Sequence, residues 1–267
     1  MITSFHLPCR PVAGVLMTYS RGCAAVLSQM CEDQGTNTES TTPRSTDSAS
    51  DGYHSDSDDS QQHPDRSKLV SQYAAVWSRA ADEAIPALSA LEPLRHTPHL
   101  KYKIVFSVVV LSFRAVISLR DRRLNELKAM LGVPEEGTPE PCVTRLLAAA
   151  TRVLHSTAHS FPLGEAERTV INQVVSTLRE YPCLSSCAAL HALVAAACRA
   201  AWTISLHSPP LRIDTDFTPV VMNPEKHVRF SPENRDIRDR RSDLIKSFVW
   251  PALMDGNRCV FRAVVLT

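Results

Sequence analysis

A chain of 267 residues, 44% of them hydrophobic, can bury an ordinary core in one or two domains, and a formal net charge of +1 excludes the broad basic footprint of a nucleic-acid binder. The charge is uneven: residues 34–66 hold seven carboxylates against Arg44 and Arg66, which leaves the rest of the chain basic by six charges. Eight cysteines, scattered at positions 9, 23, 31, 142, 183, 187, 198 and 259, exclude a dense secreted disulfide scaffold and point to a reducing compartment.

The first 31 residues contain Arg10 and Arg21 and no acid before Glu32, a bias shared with transit peptides, but Pro8, Pro11 and Gly14 interrupt any helix. Residues 1–66 are expected to form a disordered tail, because the acidic Ser-rich stretch from 34 to 66 lacks the large aliphatics needed to offset ordering entropy. Ser55 and Ser57 lie among acids, where an acid-directed kinase could add charge; a plain solubilising linker has the same composition.

Order is expected from Ser67. Leu69, Tyr73, Val76, Trp77, Ala80, Ala84 and Leu88 share one helical face. After a turn bounded by Pro93 and Pro98, a long helix runs from Leu100 to Leu131, with Gly132 and Pro134 as stop signals. Its stretch from Ile104 to Phe113 is apolar all round, which predicts the buried centre of a bundle and falls short of the ~20 residues of a membrane span. A third helix is expected to start at a Thr138 cap and to bury Val143, Leu146, Leu147, Ala150, Val153, Leu154 and Ala158. A fourth spans Glu165 to Glu180, with Ala166, Val170, Val174 and Leu178 inward. The fifth is alanine-rich, with Leu184, Cys187, Ala188, His191, Val194, Ala195, Cys198, Ala201 and Trp202 inward, and stops ahead of Pro209-Pro210. Asp239 to Lys246 reads as a short helix. Phe248-Val249-Trp250, Pro251, a turn at Met254–Asn257 and the apolar run Cys259–Leu266 read as a hairpin-like end. The fold class is therefore mainly α: a bundle of about five helices over 67–267, with a short extended C-terminal part.

No catalytic site assembles. The eight glycines form no phosphate loop, and neither a G-x-S-x-G elbow nor H-E-x-x-H occurs, so no cofactor is expected. Cys183, Cys187 and His191 recur every four residues, with Cys198 further on, but a straight helix cannot wrap three ligands about one ion, and buried structural roles are expected instead. His155 and His159 lack a neighbouring carboxylate base. Neither set is expected to hold a metal.

Two basic clusters are candidates for lipid headgroups on charge alone: Lys101, Lys103, Arg114, Arg120, Arg122 and Arg123, and Arg235, Arg238, Arg240, Arg241 and Lys246. Asp121, Glu126, Asp236, Asp239 and Asp243 interleave with them, as on solvated ion-paired faces. Lys226-His227-Val228-Arg229-Phe230 fits a basic-Val-x-Phe pattern that adds a strand to a phosphatase, through Val228 and Phe230, or simply packs on the bundle.

Trp202 followed by Pro209-Pro210-Leu211, then Val249-Trp250-Pro251-Ala252-Leu253 and Val260-x-x-x-Val264-Val265, resembles the C-terminal domain of the mitochondria-eating protein family; Leu69–Trp77 resembles its start. The resemblance covers 67–267. It implies a non-catalytic protein of mitochondrial quality control, cytoplasmic and peripherally associated with the outer mitochondrial membrane, with the anionic lipid cardiolipin as partner. It also implies that Trp202, Pro209, Pro210, Trp250 and Pro251 are structural anchors. Family members carry coiled-coil heptads ahead of this domain, where the present sequence has its acidic tail. That tail is expected to compete with anionic lipid for the basic clusters.

Overall fold

The computed structural model describes residues 59–133, 140–218, 221–230 and 243–267, with side chains from Arg66 onward. Ser55 and Ser57 lie outside them, as do Thr138, Arg235, Arg238, Arg240 and Arg241.

The first described helix, α1 (Asp59–Arg79), starts eight residues before the expected Ser67. It brings Arg66 to Asp255, with Nη1 2.7 Å from the carboxylate. Beyond Arg79 the rod continues through a wider turn at Ala80–Ala84 into α2 (Ile85–Ala90). In that turn the Ile85 N–H reaches back five residues to the Ala80 carbonyl. Pro86 explains the widening, since it offers no N–H and its ring needs room against the preceding turn. Leu69, Tyr73, Val76, Ala80, Ala84 and Leu88 are buried, as their spacing predicts.

A four-residue helix, α3 (Glu92–Arg95), leads to α4 (Leu100–Met130), the longest of the described elements. Its stop is a Schellman closure. Gly132, at φ 67°, donates its N–H to the Ala129 carbonyl, and Val133 donates to Lys128. Two amphipathic helices follow, α5 (Pro141–Ser156) and α6 (Gly164–Thr177), then a 3-10 turn at Pro182–Ser186 and α7 (Ala188–Leu206). Helix α5 opens on Pro141 with Glu140 as its flanking residue, and no side chain caps it. Helices α4 and α7 pack against each other as the axis of the helical layer, with α6 on both and α1 on α7.

Both α4 and α7 are long and apolar enough to cross a membrane by length and composition, which the ten-residue stretch read in the sequence understated. Here 67% and 61% of their most apolar stretches lie inside the fold, so mutual burial accounts for that composition.

Among the described residues the chain then forms two three-stranded sheets. One has order β1-β4-β5, from β1 (Arg212–Ile213), β4 (Leu253–Asp255) and β5 (Arg258–Phe261). The other has order β2-β6-β3, from β2 (His227–Arg229), β3 (Ser247–Trp250) and β6 (Ala263–Leu266). The expected hairpin is β4–β5, turning at Gly256, φ 55°, and Asn257. The apolar run Cys259–Leu266 is not one strand, however: it divides at Arg262 between the two sheets. Strand β6 pairs antiparallel with β3 and parallel with β2, and β3 lies against α4. Residues 243–246, expected to end a short helix, are not helical, and Leu244 bridges to Val221.

Candidate functional site

Two of the sequence segments that carry the family resemblance, Leu69–Trp77 and Val249–Leu253, meet in one aromatic seam. Tyr73, fully buried on α1, donates its hydroxyl to the Pro251 carbonyl at 2.8 Å, and burial pushes its pKa well above the usual phenol value. Trp250 lies 5.6 Å from the Tyr73 ring and 5.3 Å from Trp77, centroid to centroid. Phe113 and Phe261 meet Tyr73 edge-on. A second anchor sits on α7. Trp202 stacks on Phe161 at 4.2 Å, and Arg199 holds the Phe161 turn by donating to the Ala158 and Phe161 carbonyls. Trp202, Trp250 and Pro251 are buried, Pro210 is half-buried and Pro209 is exposed. Nothing in the sequence marks Arg199 for this task, because its acceptors are main-chain atoms some forty residues away.

The first basic cluster does not form one patch. Lys101 and Lys103 sit at the start of α4 and Arg120, Arg122 and Arg123 beyond its middle, ~30 Å apart at 1.5 Å per residue. Lys101 donates to Ser89 Oγ at 2.7 Å and lies over the Tyr102 ring; partial burial holds its pKa below the usual lysine value. Arg120 donates to the Ser205 carbonyl at the end of α7 and pairs with Asp121 at 2.7 Å. Arg122 pairs with Glu165 at 2.6 Å and Arg123 with Glu126 at 2.8 Å. The Glu126 hydrogen bond raises the Arg123 pKa. Lys103 and Arg114 are half-buried and meet no carboxylate among the described residues. Of the second cluster only Lys246 is described, exposed beside β3.

Val228 and Phe230 are half-buried. The Phe230 ring, which a phosphatase would need outside the fold, lies edge-on to Trp77 at 5.7 Å and Tyr102 at 5.4 Å, and β2 is paired with β6.

The Cys183, Cys187 and His191 spacing does not lie on one helix. Cys183 is in the 3-10 turn, Cys187 is the extended residue before α7, and His191 faces outward with Nε2 2.8 Å from the Ser185 carbonyl. His191 was expected inward; the buried face of α7 centres instead on Leu190, Val194, Ala197 and Ala201, which leaves His191 at its exposed flank. Cys198 is buried, its thiol pushed up to about 11 by that burial. His159 lies past the end of α5, and His155 approaches His207 instead, at 6.3 Å. Among the described residues no group of three or more metal-ligating side chains gathers.

Helix α5 departs most from its sequence reading. Of the seven residues expected inward, only Ala158 is buried; Val143, Leu147, Ala150 and Leu154 are half-buried, while Leu146 and Val153 are 39% and 62% exposed. Among the described elements its main packing partner is α7. Its Arg145 and Arg152 are exposed and pair with no carboxylate among the described residues. They were absent from the basic clusters read in the sequence, although a signal was there: no Asp or Glu occurs from Pro141 to Gly164.

Residues 65–267, more than half of the chain, match the family model described as mitochondria-eating protein. No curated protein and no solved structure matches.

Proposed function

From the premise that this chain belongs to the mitochondria-eating protein family, and so has a mitochondrial role in quality control, we propose that it acts without catalysis, at the outer mitochondrial membrane, by binding anionic lipid of the cardiolipin type. The observation that carries this reading is the family match over 65–267, the residues that build both the aromatic seam and the helical layer. The charge distribution supports it. The chain outside 34–66 is basic, and cations near an anionic surface contribute roughly 1 kcal/mol each.

The test is sedimentation of the full chain with phosphatidylcholine vesicles that contain or lack cardiolipin, at low and high salt. Cardiolipin-dependent binding that weakens with salt is expected, because screening shortens the reach of the basic groups. A folded chain that ignores both vesicles would sink the lipid reading and turn the search to a protein partner.

A further inference from the structure

Helix α5 combines three features that no other described helix has together. It is sixteen residues long, it leaves part of its apolar face uncovered, and all its charges are positive. Val143, Leu147, Ala150 and Leu154 are half-buried on a helix that packs on α7. Leu146 and Val153, two helical turns apart, form an exposed apolar stripe continued by the exposed Cys142. Arg145 and Arg152, each one position before a member of that stripe, are exposed beside it. The same helix carries His155, and His159 follows in the next turn. This is the pattern of a helix that lies in the plane of a membrane interface, with its apolar stripe among acyl chains and its cations at the headgroups.

We infer that α5 is the element that enters the anionic lipid surface, through Leu146 and Val153, with Arg145 and Arg152 as its headgroup contacts. The inference rests on the lipid reading above and deepens it, naming a contact element outside both basic clusters. Charge decides the occupant. A symmetric second copy seated on this stripe would bring Arg145 and Arg152 of both chains together, whereas an anionic lipid surface satisfies stripe and cations at once. The α4 arginines contrast with this, since Arg120, Arg122 and Arg123 are already paired with Asp121, Glu165 and Glu126.

The experiment uses the full chain and vesicles of phosphatidylcholine alone, with cardiolipin, or with phosphatidylserine. Leu146→Ser with Val153→Ser should weaken binding to anionic vesicles about tenfold while the salt dependence persists. Arg145→Gln with Arg152→Gln should weaken it at low salt and flatten the salt dependence. All four side chains are exposed, so circular dichroism and Tm should match the parent. If the serine pair proves unstable, the glutamine pair decides alone. Should the parent bind and the α5 variants bind equally well, the inference is wrong and the lipid reading survives, with Arg238, Arg240 and Arg241 as the next sites to change. A parent that binds no anionic vesicle overturns both. If the serine pair instead dissolves a dimer and leaves vesicle binding intact, the stripe belongs to a second copy and the inference falls.

Discussion

Both halves of α4 keep apolar residues at every third or fourth position, the first half filling the positions between as well, and they meet opposite surroundings. From Leu100 to Leu119 the helix is enclosed by α6, α7 and β3, and Ile104, Val105, Val108 and Val116 are fully buried. From Arg120 onward Leu124 and Leu127 are only half-buried, and Met130 and Leu131 are 77% and 54% exposed. The difference teaches that periodicity identifies an apolar face without identifying its cover. Helix α5 repeats the lesson, since its apolar face is as regular as that of α6, yet Val170 and Val174 of α6 are buried and no residue of α5 is.

The comparison can be broken hardest at the enclosed end. Trp250→Ala removes the centre of the aromatic seam and is expected to cost about 3–5 kcal/mol in denaturant unfolding. A loss near zero would mean that the seam is not what joins the sheets to α1. Next, Ile104→Ala and Leu127→Ala set the two halves of α4 directly against each other. The first should cost about 2–5 kcal/mol and the second under about 1 kcal/mol, and equal costs would show that the far half is covered in solution. Tyr73→Phe deletes the hydrogen bond to Pro251 while keeping the ring packing, so about 1 kcal/mol is expected.

The smallest effect is a pH dependence at His227. This buried side chain accepts the Asn223 N–H at Nδ1, 2.9 Å away. Burial is the main cause of its lowered pKa; Asp214 and Asp216 pull it up and Lys226 pushes it down. A histidine whose folded pKa is depressed favours the fold when neutral. Its contribution is therefore complete above the unfolded value of about 6.5 and is lost as pH falls toward the lower folded value. Thermal melts should show Tm falling across that window, less so in His227→Gln. Identical slopes in the two proteins would assign the effect to other groups.

What was legible in the sequence is what neighbouring residues decide. The α1 face, both ends of α4 and the Gly256 turn follow from spacing, from Gly132 and Gly256 at positive φ, and from proline positions. The resemblance was legible because Trp202, Trp250 and Pro251 are uncommon residues at buried joints. Partners distant in the chain were not legible. The parallel pairing of β2 with β6, and the break at Arg262 that divides one apolar run between two sheets, depend on contacts some thirty-five residues apart. Pattern also overstated the start of α7, because Leu184 is buried from a 3-10 turn as well as it would be from a helix. For the candidate site, charge counting found Arg120, Arg122 and Arg123 but could not see their carboxylate partners. It passed over Arg145 and Arg152, which stand alone on α5.

The position of β6 between β2 and β3 also orders events in time. During synthesis β2 leaves the ribosome first, then β3, and neither has the strand it hydrogen-bonds until residues 263–266 emerge. Until then the nascent chain carries unpaired strand edges together with the Trp250 side chain that the seam will bury. Such surfaces are those that chaperones hold and that misassociate when release is delayed. Any delay in the docking of residues 263–266 would thus lengthen the interval in which those edges stand open.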